Sequence, residues 1–173
     1  MNFGPSILEP GAKLIAPVAQ LVPRNDHSAT QLGSWDAYGE PTPGFPEEVF
    51  FFEMQAKDNQ TAVLLQNAAA DRGVEIGYNT RQLPCFSQWK NTTAYADGYV
   101  TGLEPGTNFP NPRSFEKERN RVVELAPGEA RDFVIDITAL DSTERVTASR
   151  ERVAGLQAAE PKIHSKPLVD WCA

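Results

Sequence analysis

Apolar residues recur in short runs along the chain, and glycine, proline, asparagine or aspartate bounds most of these runs, a pattern that predicts β-strands. The clearest run, 47–56 (EEVFFFEMQA), is too continuous for a surface strand and should be covered on both faces. Asp58 and Asn59 signal a turn after it, and we expect a hairpin with the next strand. Further strands are predicted at 61–67, 73–79, 99–103, 121–126 and 129–140.

Towards the end of the chain the period of two gives way to a helical period. Phe133, Ile135 and Ile137 share one face of the strand 129–140 and are predicted to be core residues. Residues 141–144 (DSTE) are typical of a capping box, and they predict a helix that runs to about residue 158. Val146, Val153 and Leu156 would form its narrow apolar stripe.

Together these elements predict a mainly β fold, an antiparallel β-sandwich with one C-terminal helix. Residues 1–158 are expected to form a single sandwich domain, and residues 159–173, which show no period, an irregular tail. The length of 173 residues, with 40% hydrophobic and 23% charged residues, suits one domain with a real core.

Charge and cysteine content exclude several classes of function. The net charge of -7, without any basic run to offset it, argues against nucleic acid as a partner. No apolar run approaches the roughly 18 residues that span a bilayer, and no signal peptide opens the chain, so we expect a cytoplasmic protein without a membrane partner. Cys85 and Cys172 form neither a disulfide framework nor a metal-binding pattern, and both are expected to be reduced.

One carboxylate stands out at the end of a predicted strand. Glu104 follows the run 99–103 and precedes Pro105, which disfavours helical backbone at the residue before it. A side chain held at a fixed angle beside a turn suits a positioned acid or base. The alternative is that Glu104 is a solvated surface residue.

Several strings around Glu104 carry a resemblance to a known superfamily. They are LPCFSQWKN (83–91), GYVTGLEPGTN (98–108) and ELAPGEARDF (124–133), preceded in the same order by NFGPSILEPGAKLIAP (2–17) and GFPEEVFFFEM (44–54). Over residues 2–140 the chain resembles the C-terminal part of a group within the aldose 1-epimerase (galactose mutarotase)-like superfamily. The resemblance implies a large β-sandwich, of which this chain supplies the later strands.

The resemblance also implies a reaction and its catalytic base. Glu104 would take the proton from the anomeric hydroxyl of a sugar, and no cofactor or metal would be needed. In the resembled families a histidine that protonates the ring oxygen directly precedes the NFG-like string, where this chain has Met1. We therefore expect a fragment of a protein about twice as long, whose uncovered apolar edges would favour homo-oligomers. His27 is the only substitute nearby.

Five further residues are predicted to bind a monosaccharide or a sugar derivative. The resemblance favours Glu47 over Glu48, since an acidic residue binds sugar hydroxyls at that position. Aromatic and hydrogen-bonding groups suit a sugar ring, which suggests Trp89, Lys90, Arg24 and Asn108. Each of them has a non-functional alternative: it could be a solvated surface residue or, for Trp89, a core residue.

Two other classes of function remain open on the sequence. A non-catalytic carbohydrate-binding protein would keep the pocket and lack the acid, which the missing histidine favours for this chain. A metal-dependent enzyme of the cupin type would need a cluster of histidine and carboxylate ligands. The chain has only His27 and His164, far apart in sequence, which disfavours that reading.

Overall fold

Two β-sheets pack face to face in the computed structural model, which describes residues 7–173. The four-stranded sheet has the order β1 (Lys13–Ile15), β4 (Gln60–Gln66), β5 (Gly73–Asn79) and β8 (Ile135–Leu140). The five-stranded sheet has the order β7 (Val100–Gly106), β6 (Cys85–Asn91), β3 (Glu48–Met54), β2 (Val18–Pro23) and β9 (Lys162–Ile163). Neighbouring strands are antiparallel except β2 and β9, which are parallel. The predicted mainly β sandwich is confirmed.

Within residues 7–173, three α-helices accompany the sheets: α1 (Asp26–Thr30), α2 (Arg113–Glu118) and α3 (Thr143–Ala154). The sequence predicted only α3, and α1 and α2 were not predicted. Ser142 caps α3 by accepting a hydrogen bond from the backbone N–H of Arg145. Val146 and Val153 are buried against the outer side of the four-stranded sheet. Among residues 7–173, no helix is both long and apolar enough to span a membrane.

Large apolar side chains fill the space between the sheets at every second position of the strands. Phe50 and Phe52 of β3 are fully buried, and the ring of Phe52 meets that of Phe86 edge-on at 5.7 Å. Tyr78 stacks on Phe86 from the opposite sheet. Each such side chain contributes about 1.5–3 kcal/mol through burial. The predicted coverage of both faces of the strand 47–56 also holds, since Val49 and Phe51 are buried on its other face.

The hairpin predicted around Asp58 and Asn59 is wrong, although the turn exists. Both residues have a positive φ, of 52° and 63°, as a tight reversal requires. The strands on either side belong to different sheets: β3 pairs with β2 and β6, whereas β4 pairs with β1 and β5. Turn-forming residues predict that the chain reverses direction. They do not predict whether the strands on either side pair in one sheet.

The segment 121–134 contains no strand, contrary to the prediction, and only Ile135–Leu140 forms β8. Phe133, Ile135 and Ile137 are 43%, 40% and 52% exposed, so the prediction that they are core residues is also wrong. The predicted face is nevertheless the inner one, because Ile137 lies opposite the buried Ile76. At this edge of the four-stranded sheet, nothing in the described chain covers the inner face.

The last residues are held against the sandwich. After β9, Trp171 packs on Phe109 with ring centroids 4.8 Å apart, and Phe109 stacks on Phe51 of β3 at 4.6 Å. Arg121 donates to the carbonyl oxygen of Asp170 at 2.8 Å. The tail therefore covers part of the outer side of the five-stranded sheet.

Candidate functional site

The side of the five-stranded sheet that turns away from the four-stranded sheet carries most of the predicted chemistry. Phe50, Phe86 and Leu103 lie in the core between the sheets, so the residues next to them in each strand point the other way. We call this outward surface the open face. It carries Val49 and Phe51 of β3, Cys85, Ser87 and Trp89 of β6, and Gly102 and Glu104 of β7.

Glu104 lies on the open face opposite Ser87, two residues before the end of β7. Its side chain is exposed and bends back along the strand over Gly102. A Cβ atom built on Gly102 would overlap Oε1 of Glu104 and lie 3.2 Å from its Cδ. Within residues 7–173, Glu104 forms no ion pair with a lysine or arginine. In the part of the chain that the structure describes, no cation therefore competes with a ligand proton for this carboxylate.

Trp89 and Glu47 form a pair beside this carboxylate. The indole Nε1 of Trp89 donates to Oε2 of Glu47 at 2.7 Å. Trp89 lies directly opposite Gly102 in the sheet, and adjacent strands are about 4.8 Å apart. The Glu104 carboxylate lies over Gly102, so the half-buried indole of Trp89 is its neighbour on the adjacent strand. An aromatic face and two carboxylates thus meet on one surface.

Arg24 extends the same row of residues across the sheet. Its backbone N–H donates to the carbonyl oxygen of Val49 at 3.0 Å, which continues the pairing of β2 with β3. Its half-buried side chain forms no ion pair within residues 7–173. Three strand spacings, or about 14 Å, separate Arg24 from Gly102. Arg24 thus stands at the far side of the open face.

Lys90 is not brought to this surface. It points into the sandwich, where it is 2% exposed, and its Nζ lies 3.0 Å from Oε2 of the equally buried Glu48. Nζ also donates to the carbonyl oxygen of Ser34 at 2.9 Å. Burial lowers the pKa of Lys90, against the opposing effect of Glu48. The pair forms one wall of a separate cavity of about 280 Å³ at the end of the sandwich, with Tyr38.

Asn108 also lies apart from Glu104. It is in the loop after β7, where its side-chain amide donates to the carbonyl oxygen of Phe109 at 2.7 Å. It lines a cavity of about 260 Å³ together with Asn111, Arg113 and Glu116 of the loop and helix α2. Of the six predicted site residues, the open face unites Glu104, Glu47, Trp89 and Arg24.

Neither histidine is hydrogen-bonded to Glu104. His27, in α1, packs edge-on against Phe45 at 5.4 Å, and its buried Nε2 has no hydrogen-bond partner within residues 7–173. His164 follows β9, and its Nε2 lies 3.1 Å from Oε1 of Gln20. Four strand spacings, or about 19 Å, separate that edge of the sheet from β7. The structure thus places no histidine beside Glu104 among the residues it describes.

Sequence reasoning missed the cluster that closes one end of the open face. Phe109, Trp171 and Cys172 pack over Phe51 and Cys85, beside a cavity of about 240 Å³. Burial raises the pKa of the Cys85 thiol to about 12, which makes Cys85 a poor nucleophile. Trp171 and Cys172 contact residues more than sixty positions away in sequence, so no local pattern could have indicated these contacts.

Glu116 holds the loop that carries Phe109. It is fully buried, and Arg121 donates to both of its oxygens, at 2.6 and 2.7 Å. Burial alone would raise the pKa of Glu116, but the hydrogen bonds from Arg121 and Asn111 outweigh that effect and lower it. This ion pair fixes the loop rather than offering a free acid. Within residues 7–173, no group of three or more histidine, cysteine or acidic side chains could hold a metal ion.

Comparisons with known proteins agree with this architecture. The sequence model of the family described as Domain of unknown function (DUF4432) matches residues 1–139. A crystal structure of a putative aldose 1-epimerase from Klebsiella pneumoniae subsp. pneumoniae MGH 78578 is similar, with a TM-score of 0.92 and 38% sequence identity. The similarity covers 96% of this chain and 44% of that chain, so this chain spans less than half of its length. A search of curated proteins found no match.

Proposed function

This chain belongs to the DUF4432 family, and from that premise we propose that the intact protein is an aldose 1-epimerase-like isomerase, which interconverts the α and β anomers of a sugar. One observation carries the proposal. The Glu104 carboxylate lies, without a cationic partner in residues 7–173, beside the Trp89–Glu47 pair on an open sheet face. The sandwich that presents this face is similar to the structure of the Klebsiella protein.

In the proposed reaction Glu104 acts as the general base. Its carboxylate accepts the proton of the anomeric hydroxyl while an acid gives a proton to the ring oxygen, and the bond between that oxygen and the anomeric carbon breaks. Rotation about the first carbon–carbon bond and closure on the other face give the second anomer, and both protons return. The position of the carboxylate matters most, because a base acts only within hydrogen-bond reach of its proton.

The other residues of the open face would hold the sugar. The indole of Trp89 offers a flat apolar surface for the C–H groups of the ring, and Glu47 accepts hydrogen bonds from hydroxyl groups. Arg24 donates to hydroxyls at the far side of the face. Lys90 and Asn108 lie away from the open face and take no part in holding the sugar. None of the residues that the structure describes is assigned as the acid for the ring oxygen, and the reaction requires no cofactor.

A second candidate function is a sugar-binding protein without catalysis, which the absence of a histidine beside Glu104 in the described chain favours. Two assays on wild type and Glu104→Gln separate the candidates: sugar binding by calorimetry and anomer exchange by NMR. An isomerase binds sugar in both forms and loses exchange in the variant. Binding without exchange in the folded wild type supports the binding protein. Glu160→Gln, an exposed carboxylate in the tail, is the control.

A further inference from the structure

Gly102 lies directly beneath the Glu104 carboxylate on the open face. The three heavy atoms nearest to a Cβ atom built on Gly102 all belong to the Glu104 side chain: Oε1, which it would overlap, Cδ at 3.2 Å and Cγ at 3.5 Å. No atom of another strand lies closer to that Cβ. The space above Gly102 is thus occupied by Glu104.

Neither the backbone nor the packing explains a glycine here. Gly102 lies inside β7 and is not among the glycines with positive φ, so its conformation is open to any residue. A glycine inside a strand costs stability, because it packs no side chain and loses more entropy on folding. Gly73, in contrast, is required by packing, since its Cβ would lie 2.7 Å from the carbonyl oxygen of Leu65. At Gly102 the only obstacle is the catalytic carboxylate itself.

We propose that Gly102 is a positioning residue: its missing side chain leaves the space in which the Glu104 carboxylate lies beside Trp89. Residues 102 and 104 share a face of the strand, so a glutamate that bends back along β7 reaches the position above residue 102. A methyl group there would move the carboxylate, at the end of a flexible side chain, and leave the backbone in place. The inference rests on the proposed function, because the position of the carboxylate affects catalysis only if Glu104 is the general base.

Gly102→Ala should therefore separate stability from catalysis. The midpoint of thermal unfolding should stay unchanged or rise slightly, because alanine suits a strand better than glycine. The kcat for anomer exchange should fall about 10–100-fold, since a displacement near 1 Å can cost two orders of magnitude. The KM should change by less than about threefold, because Glu47 and Trp89 still hold the sugar.

The matched control is Gly77→Ala. Gly77 also lies inside a strand, β5, and its Cβ would make only ordinary contacts, 3.7 Å from Cβ of Asp136 and 3.9 Å from the carbonyl oxygen of Thr61. This variant should keep full activity. A double variant with Glu104→Gln supplies a second readout. If Gly102 acts only through the Glu104 carboxylate, adding Gly102→Ala to Glu104→Gln should leave the sugar affinity measured by calorimetry unchanged.

Full kcat in Gly102→Ala, or equal losses in Gly102→Ala and Gly77→Ala, would overturn the inference. Crystal structures of the wild type and of Gly102→Ala provide a test that needs no activity. They should show the Glu104 carboxylate above residue 102 in the wild type and displaced in the variant. A carboxylate in the same position in both structures would also overturn the inference. A wild type without exchange activity would instead refute the proposed function, while the two structures still decide what sets the carboxylate's position.

Discussion

Trp89 donates its indole hydrogen to Oε2 of Glu47 at 2.7 Å, and this bond joins an aromatic surface and an acceptor on one side of the sheet. A sugar hydroxyl bound by Glu47 would therefore lie at the edge of the indole. Glu47→Ala should raise the KM for the sugar about tenfold, equivalent to about 1.4 kcal/mol, with a smaller effect on kcat. Steady-state exchange rates over a range of sugar concentrations test this. An unchanged KM would remove Glu47 from the site.

Lys90 and Glu48 should affect stability and leave sugar binding intact. Both are buried on the core side of the sheet, 3.0 Å apart. Lys90→Met leaves a buried carboxylate without its partner, and the free energy of unfolding should fall by about 3–5 kcal/mol. Urea unfolding measures that loss, and calorimetry at a temperature where the variant stays folded measures sugar affinity. A folded variant with sugar affinity reduced tenfold would return Lys90 to the binding site.

Acid should weaken the loop around α2, because it titrates Glu116. Folding lowers the pKa of Glu116, so its stabilising contribution is complete above the unfolded value of about 4.3 and declines as the pH falls through the folded value. Glu116→Gln should destabilise the protein by about 3 kcal/mol near neutral pH. Urea unfolding between about pH 3 and pH 6 should show this difference narrowing towards acid. A difference in unfolding free energy between wild type and Glu116→Gln that is independent of pH would contradict a lowered pKa of Glu116 in the folded protein.

Cys85 should resist alkylation in the native state. Its thiol is buried and its pKa is raised to about 12, so almost no thiolate forms near neutral pH. Iodoacetamide labelling followed by mass spectrometry should modify Cys85 only after denaturation. Labelling of native Cys85 as fast as that of a free thiol would show that the cluster of Phe109 and Trp171 opens readily.

The chain alone should self-associate through the uncovered inner face of β8. Phe133, Ile135 and Ile137 are all more than one-third exposed along one edge of the sandwich. Replacing Ile135 and Ile137 with threonine should shift the chain towards monomer in sedimentation velocity. A wild-type chain that is already monomeric at high concentration would contradict this.

Periodicity predicted the faces of the sheet well. Counting by two along the run 47–56 puts Glu47, Val49 and Phe51 on one face and Glu48 on the other, and the structure has them so. Whether the inner face of β8 is covered lay beyond the sequence, because that coverage depends on distant strands. Ile137 points inward as its pattern predicts, yet lies open at the edge of its sheet.

The candidate site was predictable only in part, for similar reasons. Trp89 and Lys90 are neighbours in sequence, but neighbours in a strand point to opposite faces, and the strand that carries them was not predicted. The packing of Trp171 on Phe109 is a contact between distant segments, which no local pattern records. The place of Glu104 above Gly102 depends on the side-chain conformation, which only the structure shows.

The most direct test of the central claim is the rate of exchange between sugar anomers. Magnetisation-transfer NMR on a panel of equilibrated aldoses, with wild type, Glu104→Gln and Glu160→Gln at increasing protein concentration, measures it. We predict acceleration in proportion to protein concentration for wild type and Glu160→Gln, and its loss in Glu104→Gln. Acceleration that survives in Glu104→Gln would contradict the assignment of Glu104 as the base.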